Sequence, residues 1–494
     1  MMRRAVRAGW VAGLAWVWLG GCTVGPAFHA PRADMPAAWH DVSAHGGGVA
    51  LVARPDPLWW RMFRDPVLDA LVARAMAGNP GFEENAARVV QAREQEATQR
   101  AAGLPELGAS ARYTRERLGE AGLFSVLGGA GSGTGQPAFL GGIGGLTQGT
   151  DLYQVGFDAS WELDLFGRVR RSVEQAHAQV AAQVARQGDA RLTLQGDVVR
   201  AYLQWRAAQA LLDLAGEVAA ARARAVALRA FQRRLGLADG TDVDLARAAL
   251  VRAQGQAAGF QRQAGQALNR LAILTGQPPG ALDGPLAAVR PLPDPPPRVP
   301  VVLSAALARL RPDIRAAEAD LHAATAGIGA AVAQLYPDIT LSGQVGQRTL
   351  TLGSLADWGN TFYQFGPAIS LPLFQGGRLR AAIRLARARQ QEAALAYRQR
   401  VLDALGEVED ALVALRTDGA ARESDRAAMA SVTDRLALAR TRYRDGTGDA
   451  LAVLDARAEL GGAGQDDIQA RLAVLLDVVA LCKATGGGWP EAGD

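Results

Sequence analysis

The chain has 494 residues, of which 49% are hydrophobic and 21% charged, and 53 basic against 49 acidic side chains give a formal net charge of +4. Such a balance does not point to nucleic acid, whose binding proteins concentrate basic charge on one face. The five histidines are scattered, and no nucleophile elbow, phosphate-binding loop or metal-ligand spacing accompanies them. We therefore expect no enzyme activity, no metal and no bound cofactor.

The first 21 residues are typical of a signal peptide. Three arginines precede an apolar run at 8–19 that is too short to span a membrane in a mature protein. The sequence Leu19-Gly-Gly-Cys22 resembles a bacterial lipobox, in which the cysteine is acylated and becomes the new N-terminus. Thr23 after the cysteine favours, by the same resemblance, the outer membrane. We expect a covalent lipid on Cys22, since two or more acyl chains anchor a protein stably.

An extended, proline-rich arm is predicted at 22–66, and helical periodicity follows from 67 to about 104. Four later segments alternate between apolar and polar residues with the period of two that is typical of a β-strand. They lie at about 106–117, 151–162, 338–347 and 361–371. The second strand matches a membrane-barrel strand in length and aromatic content, and its apolar face comprises Tyr153, Val155, Phe157, Ala159 and Trp161. A Gly-rich stretch at 119–150 is predicted to be a loop.

Two long stretches without internal proline predict helical hairpins at 166–274 and 373–485, with tips near 236–241 and 443–448. At ~1.5 Å per residue, the first arm of the first hairpin would be ~100 Å long. Spacings of three and four between apolar residues predict a coiled-coil seam in each hairpin. The seams comprise Leu211, Leu214, Val218, Ala221, Ala225 and Leu228 in the first, and Val401, Leu405, Val408, Leu412 and Leu415 in the second.

The second half of the chain repeats the first. Each half is predicted to contain a helix, two strands and a hairpin; the first repeat covers 67–300 and ends in a Pro-rich linker, and the second covers 301–485, followed by a tail at 486–494. Gly236 and Gly446, at the two tips, lie 210 positions apart. Such self-similarity at a fixed offset is the signature of an internal duplication.

Four membrane strands cannot close a barrel, and an open sheet edge in lipid leaves backbone groups unpaired at several kcal/mol each. Two copies would give eight strands, whose interior is filled by side chains or one small ligand. Three copies give twelve, about the smallest number with a useful water-filled bore. We therefore predict an α+β membrane protein: a homotrimer with one 12-stranded β-barrel, four strands per chain, continued by a long α-helical coiled-coil tube in the periplasm.

Three motifs stand in order beside the duplicated hairpins: Leu19-Gly-Gly-Cys-Thr-Val-Gly-Pro26, Trp161-Glu-Leu-Asp-Leu-Phe-Gly-Arg168 and Leu371-Pro-Leu-Phe-Gln-Gly-Gly-Arg378. Together they resemble an outer-membrane efflux protein of the TolC/OprM type, in its NodT-like lipoprotein branch. The resemblance covers nearly the whole mature chain. It implies a trimeric exit duct for drugs or other small toxic compounds, with a periplasmic adaptor and an inner-membrane transporter, often of the proton-driven RND type, as partners.

The same resemblance implies functional residues around the tips. Those that match the periplasmic gate are Thr241, Asp242, Tyr443 and Asp455. Those that match the adaptor-docking ends are Gly236, Leu237, Gly446 and Thr447. Three Asp455 carboxylates around a threefold axis would attract cations. Two positions depart from the family pattern, since Gly448 replaces an expected basic gate partner and Ala452 an expected acidic residue of the ring.

Simpler interpretations stay open for the same residues, with Asp242 as a helix cap, Tyr443 as a packed side chain and Asp455 as a solvated charge. Two other functions also stay open. One is an exit duct for type I protein secretion, which the sequence does not separate from efflux. The other is a non-channel periplasmic structural lipoprotein, which would leave the four amphipathic strands unexplained.

Overall fold

The computed structural model describes residues 23–32, 35–45, 49–117 and 149–487. The predicted signal peptide and the lipid site at Cys22 lie outside these residues. So do most of the Gly-rich loop, at 118–148, and the tail from residue 488 onward.

The chain divides into two compact units, and each unit takes segments from both halves of the sequence. The first unit comprises Met1–His29, Arg93–Gln179 and His322–Glu392, and the second comprises Ala30–Ala92, Val180–Leu321 and Ala393–Asp494. The compact units therefore differ from the two sequence repeats, because the hairpin of each repeat is divided between the two units.

The elements of the described residues are numbered in chain order. The helices are α1 (His40–His45), α2 (Pro66–Gly78), α3 (Pro80–Ala101), α4 (Arg168–Arg234), α5 (Gly240–Leu274), α6 (Ser304–Leu310), α7 (Pro312–Ala333), α8 (Arg378–Arg444) and α9 (Ala450–Ala484). The strands are β1 (Val49–Val52), β2 (Glu106–Glu116), β3 (Thr150–Glu162), β4 (Val299–Val302), β5 (Asp338–Thr349) and β6 (Thr361–Ser370). Short 3-10 turns lie at Trp59–Phe63, Leu352–Ser354 and Trp358–Asn360.

The first unit contains a four-stranded antiparallel sheet in the order β2-β3-β5-β6. These strands cover the four segments in which alternation predicted strands. Phe157 pairs with Val345, which pairs in turn with Tyr363, so the apolar residues of neighbouring strands share one face. Within the described residues, β2 and β6 each have a strand partner on one side only.

The apolar face of this sheet is exposed. Phe157 is 59% exposed and Phe365 79%, and other exposed side chains on this face are Leu107, Tyr113, Val155, Trp161, Leu341, Val345, Tyr363 and Ile369. A sheet in a water-soluble domain normally packs its apolar face on a core. Exposed aromatic and aliphatic side chains on alternate positions are instead typical of strands that face lipid.

The second unit contains a parallel pair, β1 and β4, that sequence analysis did not predict. β1 falls in the segment assigned as an extended arm, and β4 spans the boundary between the predicted Pro-rich linker and the second repeat. Val301 and Val302 are fully buried, and the indole Nε1–H of Trp39 donates to the Val302 carbonyl at 2.8 Å. Four-residue strands, one of which contains Pro300, are too short to show a clear alternation.

The long helices pack in the second unit through the predicted seams. On α4, Leu211, Ala221 and Ala225 are buried, and on α8, Val401 and Val408 are buried. The matched arms are equal in length, since α4 and α8 have 67 residues each and α5 and α9 have 35 each. The duplication thus extends to the lengths of the helices.

Both long arms start slightly later than predicted, at Arg168 and Arg378. Gly167, Gly376 and Gly377 precede them with positive φ angles of 83°, 57° and 86°, a conformation that glycine adopts readily and that a helix does not include. Among the described residues, no helix combines the length and apolarity needed to cross a bilayer.

Candidate functional site at the hairpin tips

The first tip is a helix-terminating turn centred on Gly236. The N–H of Leu237 donates to the Gln232 carbonyl at 2.9 Å, and the N–H of Gly236 donates to the Arg233 carbonyl at 3.0 Å. These two bonds, with a φ of 74° at Gly236, form a Schellman motif that closes α4. Leu237 follows with 73% of its surface exposed. The turn therefore presents an apolar side chain at the tip.

Asp239 and Asp242 cap the helix that leaves this tip. The Asp242 N–H donates to Asp239 Oδ1 at 2.9 Å, and the Asp239 N–H donates to Asp242 Oδ2 at 3.3 Å. This reciprocal pair is a capping box that stabilises the start of α5. Thr241 lies between the two aspartates and is exposed. The structure thus shows the capping role of Asp242, and its gate role stays a prediction.

The second tip repeats the turn of the first 210 positions later. The Thr447 N–H donates to the Arg442 carbonyl at 2.9 Å and the Gly446 N–H to the Tyr443 carbonyl at 3.2 Å, with a φ of 72° at Gly446. Thr447 takes the place of Leu237, and its hydroxyl donates to the Arg442 carbonyl at 3.2 Å. The two predicted docking ends therefore have the same backbone conformation but differ in side-chain polarity. Tyr443 is 54% exposed rather than packed.

Gly448 lies too close to the end of α8 for a side chain. A Cβ at this position would lie 2.9 Å from Cβ of Arg442 and 3.1 Å from the backbone nitrogen of Tyr443. The basic residue that the family pattern expects would therefore not fit this backbone. The equivalent position of the first tip, Ala238, does carry a Cβ. The absence of the expected basic residue thus agrees with the tight packing at the second tip.

Asp455, the predicted acidic residue of the pore, is paired within its own chain. Its Oδ1 lies 2.6 Å from Nη1 of Arg222 on α4, and the two side chains are 54% and 29% exposed. A second ion pair joins the same helices with the charges exchanged: Arg457 on α9 places Nη2 3.6 Å from Oε2 of Glu217 on α4. Sequence analysis missed Arg222, although the residue lies next to the seam position Ala221.

The helices that carry this ion pair are in close contact. A Cβ at Gly464 of α9 would lie 2.7 Å from Cδ2 of Leu214, and a Cβ at Gly461 would overlap Cγ2 of Val218. Leu214 and Val218 belong to the predicted seam of α4. The glycines therefore let α9 approach the seam closely enough for Asp455 to reach Arg222.

Comparison with known proteins tests the resemblance drawn from the motifs. The family model described as outer membrane efflux protein matches residues 71–277 and 302–487, most of the chain. Toluene efflux pump outer membrane protein TtgF of Pseudomonas putida is 34% identical, over 96% of this chain and 95% of its own. Outer membrane protein OprJ of Pseudomonas aeruginosa is 33% identical, over 96% of this chain and 94% of its own.

A solved structure agrees with these matches. The outer-membrane channel OprN superposes with a TM-score of 0.80 at 30% identity, over 95% of this chain and all of that chain. The resemblance to outer-membrane efflux proteins is confirmed, and with it the helix-rich α+β fold. The chain belongs to the outer membrane efflux protein family.

Proposed function

We propose that this chain is the outer-membrane channel of a tripartite efflux system. It passes drugs or other small toxic compounds from an inner-membrane pump and a periplasmic adaptor across the periplasm and outer membrane. Relatives are named for the efflux of toluene and of antibiotics, which supports small organic molecules as the cargo class. The proposed partners are a periplasmic adaptor and an inner-membrane transporter of the RND type.

The exposed apolar face of the sheet carries this proposal. The strands β2, β3, β5 and β6 have 11, 13, 12 and 10 residues, which suits strands that cross a bilayer at a tilt. One chain leaves the outer edges of β2 and β6 without a strand partner in the described residues. An unpaired edge is costly in lipid. Three copies that pair β6 of one with β2 of the next would close a 12-stranded barrel.

The helical hairpins support the trimer independently. On the part of α8 in the second unit, Leu395 and Leu402 are 59% and 54% exposed although both are large and apolar. They are a heptad apart, the spacing at which a helix packs on a partner helix. In the proposed assembly, helices of neighbouring copies cover them, and the hairpins of three copies form a coiled-coil tube in the periplasm.

The tips supply the proposed gate and docking surface. Thr241, Asp242, Tyr443 and Asp455 are the gate residues, and the docking ends are Gly236 with Leu237 and Gly446 with Thr447. The exposure of Leu237 and Tyr443 supports a contact outside the chain, because large side chains gain free energy when they are buried. A lipid on Cys22 holds the assembly at the outer membrane.

Two measurements test the proposal. Detergent-extracted protein should have the native mass of three chains and show a threefold tube in projection. Deletion of the gene should sensitise the host to toluene and to some members of an antibiotic panel, and the wild-type gene should restore tolerance. A monomer in detergent would contradict the trimer. Unchanged tolerance together with loss of an exported protein would favour secretion over efflux.

A further inference from the structure

The chain contains the same apolar turn twice, but only one copy of it is covered. Leu163-Asp-Leu-Phe166 follows β3, and Leu371-Pro-Leu-Phe374 follows β6. Phe166 is partly buried. In contrast, Leu373 is 88% exposed and Phe374 87% exposed. Two adjacent large apolar side chains so fully exposed mark a surface that another molecule covers.

The covered turn shows what its duplicate would contact. The ring of Phe166 stacks on Tyr336 with centroids 4.8 Å apart, and the Leu163 N–H donates to the Ile339 carbonyl at 2.8 Å. Tyr336 lies between α7 and β5. Because β3 pairs with β5, the turn after β3 lies beside the segment that enters β5. A turn at a strand end is thus covered by the entry to the neighbouring strand.

The duplicate of that covering segment lies at the opposite edge of the sheet. Pro105 and Leu104, between α3 and β2, stand 232 positions before Pro337 and Tyr336. Leu104 is 65% exposed. Since β6 and β2 are the two edge strands of the sheet, the turn after β6 is at one edge and its expected cover at the other. We therefore expect the contact between chains.

A groove already exists beside the entry to β2. It has a volume of about 540 Å³, and its lining is mostly apolar, with Gly103, Trp161, Leu163, Leu165, Val169 and Val173 among the residues. Val169, at the start of α4, is the counterpart of Leu379, at the start of α8. Leu379 lines a cavity together with Phe166 and Tyr336. The groove is thus the first-repeat counterpart of a cavity that, in the second repeat, is lined by the turn after β3.

We propose that Leu373 and Phe374 of one copy insert into this groove of a second copy, beside Leu104. The occupant is a second copy of this chain, because within one chain the turn after β3 already makes the duplicate contact, through Phe166 on Tyr336. The inference rests on the proposed trimer and adds the residues that lock one copy to the next. It places this contact at the end of the closing strand pair, β6 of one copy and β2 of the next.

Charged residues that the duplication relates to one another support the pairing. Arg168 is hydrogen-bonded to Glu162 and shares a cavity with Asp338, the first residue of β5. The counterpart of Arg168 is Arg378, and the counterpart of Asp338 is Glu106, the first residue of β2. Arg378 and Glu106 are both exposed. In the proposed contact, Arg378 of one copy faces Glu106 of the next, with opposite charge.

Cysteine pairs test the contact in the full-length protein. In a Cys482→Ala background, Leu104→Cys with Phe374→Cys should be joined by a short bifunctional thiol reagent in isolated membranes, and dimer and trimer bands should appear on a non-reducing gel. Phe166→Cys with Tyr336→Cys is the matched control, which should be joined within one chain without a change in mass. The negative control is Leu104→Cys with Trp358→Cys. Trp358 is 85% exposed in the wild type and lies at the far end of the β5–β6 hairpin, so this pair should give no dimer band and no trimer band.

The outcomes separate the two proposals. A native mass of three chains without linkage of residues 104 and 374 would overturn the contact and leave the trimer standing. A native mass of one chain would overturn both, and equal linkage in the Trp358 pair would also overturn the contact. As an independent readout, Arg378→Glu should lower the temperature at which the trimer dissociates, and adding Glu106→Arg should restore it. If the double variant does not regain the wild-type dissociation temperature, the proposed ion pair between Arg378 and Glu106 is wrong.

Discussion

The carboxylate of Asp455 lies 2.6 Å from the guanidinium of Arg222, on a neighbouring helix of the same chain. An acidic residue that lines a threefold pore would by itself form a ring of three negative charges, which favours cations. In the proposed trimer, the ion pair would add three positive charges beside that ring. Because the summed charge is then close to zero, we expect the wild-type channel to distinguish cations from anions only weakly.

Removing either partner of this pair should change ion selectivity in opposite directions. Arg222→Gln leaves three unpaired carboxylates and should raise the cation-to-anion permeability ratio several-fold. Asp455→Asn leaves three unpaired arginines and should move the ratio toward anions. Reversal potentials in planar bilayers under a salt gradient measure both changes, with the exposed Arg247→Gln as a control. An unchanged ratio in both variants would place the pair away from the ion path.

The close approach of α9 to α4 gives a matched pair of glycines. Alanine at Gly461 would overlap Val218, whereas nothing lies within 4 Å of a Cβ at Gly462. Overpacking costs about 1 to 3 kcal/mol, and replacing an unhindered helical glycine by alanine gains up to about 1 kcal/mol. We expect Gly461→Ala to lower the unfolding temperature and Gly462→Ala to raise it slightly. Equal effects of the two variants would contradict the packing.

Stability should depend on pH through Asp477 on α9. Burial, reinforced by the nearby Asp418 carboxylate, raises the pKa of Asp477 to about 6. The folded state therefore holds this proton more tightly than the unfolded chain, in which an aspartate has a pKa of about 3.9. By linkage, the contribution of Asp477 to stability falls as pH rises from about 4 to above 6.

Asp477→Asn should remove this penalty. At pH 8 we expect the variant to be more stable than the wild type by about 1 to 2 kcal/mol, with allowance for solvent screening, and at pH 4 we expect no difference. Thermal unfolding at pH 4, 6 and 8 measures the effect. Asp466→Asn, an exposed position on the same helix, serves as control. A stabilisation that is constant across pH would exclude titration of Asp477 as the cause.

Sequence analysis predicted the parts of this fold that repeat over many residues. The alternation in β3 and the three-and-four spacing around Leu211 are patterns of neighbouring residues that repeat several times along the chain. They could therefore be recognised without a structure. The β1–β4 pair was missed because each strand has four residues and its partner lies about 250 positions away in the chain. Length, more than chemistry, decided which elements could be predicted.

The candidate site was less predictable, because its chemistry depends on contacts between distant helices. Resemblance singled out Asp455, but nothing in the local sequence shows that Arg222 neutralises it. Resemblance also identified Gly448 as a departure, and only the structure shows that a Cβ there would crowd Arg442 and Tyr443. The turn at Gly236, in contrast, was correctly predicted, since a glycine that ends a helix is a local signal.

The lipid anchor is a prediction from the sequence alone. Cys22→Ser should abolish incorporation of radiolabelled palmitate and release part of the protein from tight membrane association, because acyl chains contribute ~0.8 kcal/mol per buried CH2 group. Cys482→Ser is the matched control, since Cys482 is buried and should leave labelling unchanged. Labelling that persists in the Cys22 variant would refute the anchor.

Restoring the family's basic residue at the second tip should harm the protein rather than strengthen its gate. In Gly448→Arg, the new Cβ would lie 2.9 Å from Cβ of Arg442, so the tip must rearrange at a cost of about 1 to 3 kcal/mol. Because the proposed docking end includes Gly446 and Thr447, we expect weaker adaptor binding in a pull-down and a several-fold loss of whatever tolerance the wild-type gene restores to the deletion strain. Ala238→Arg, at the equivalent position of the first tip, adds the same charge where a Cβ is already accommodated. Equal loss in both variants would show that charge, and not the fit of the backbone, is responsible.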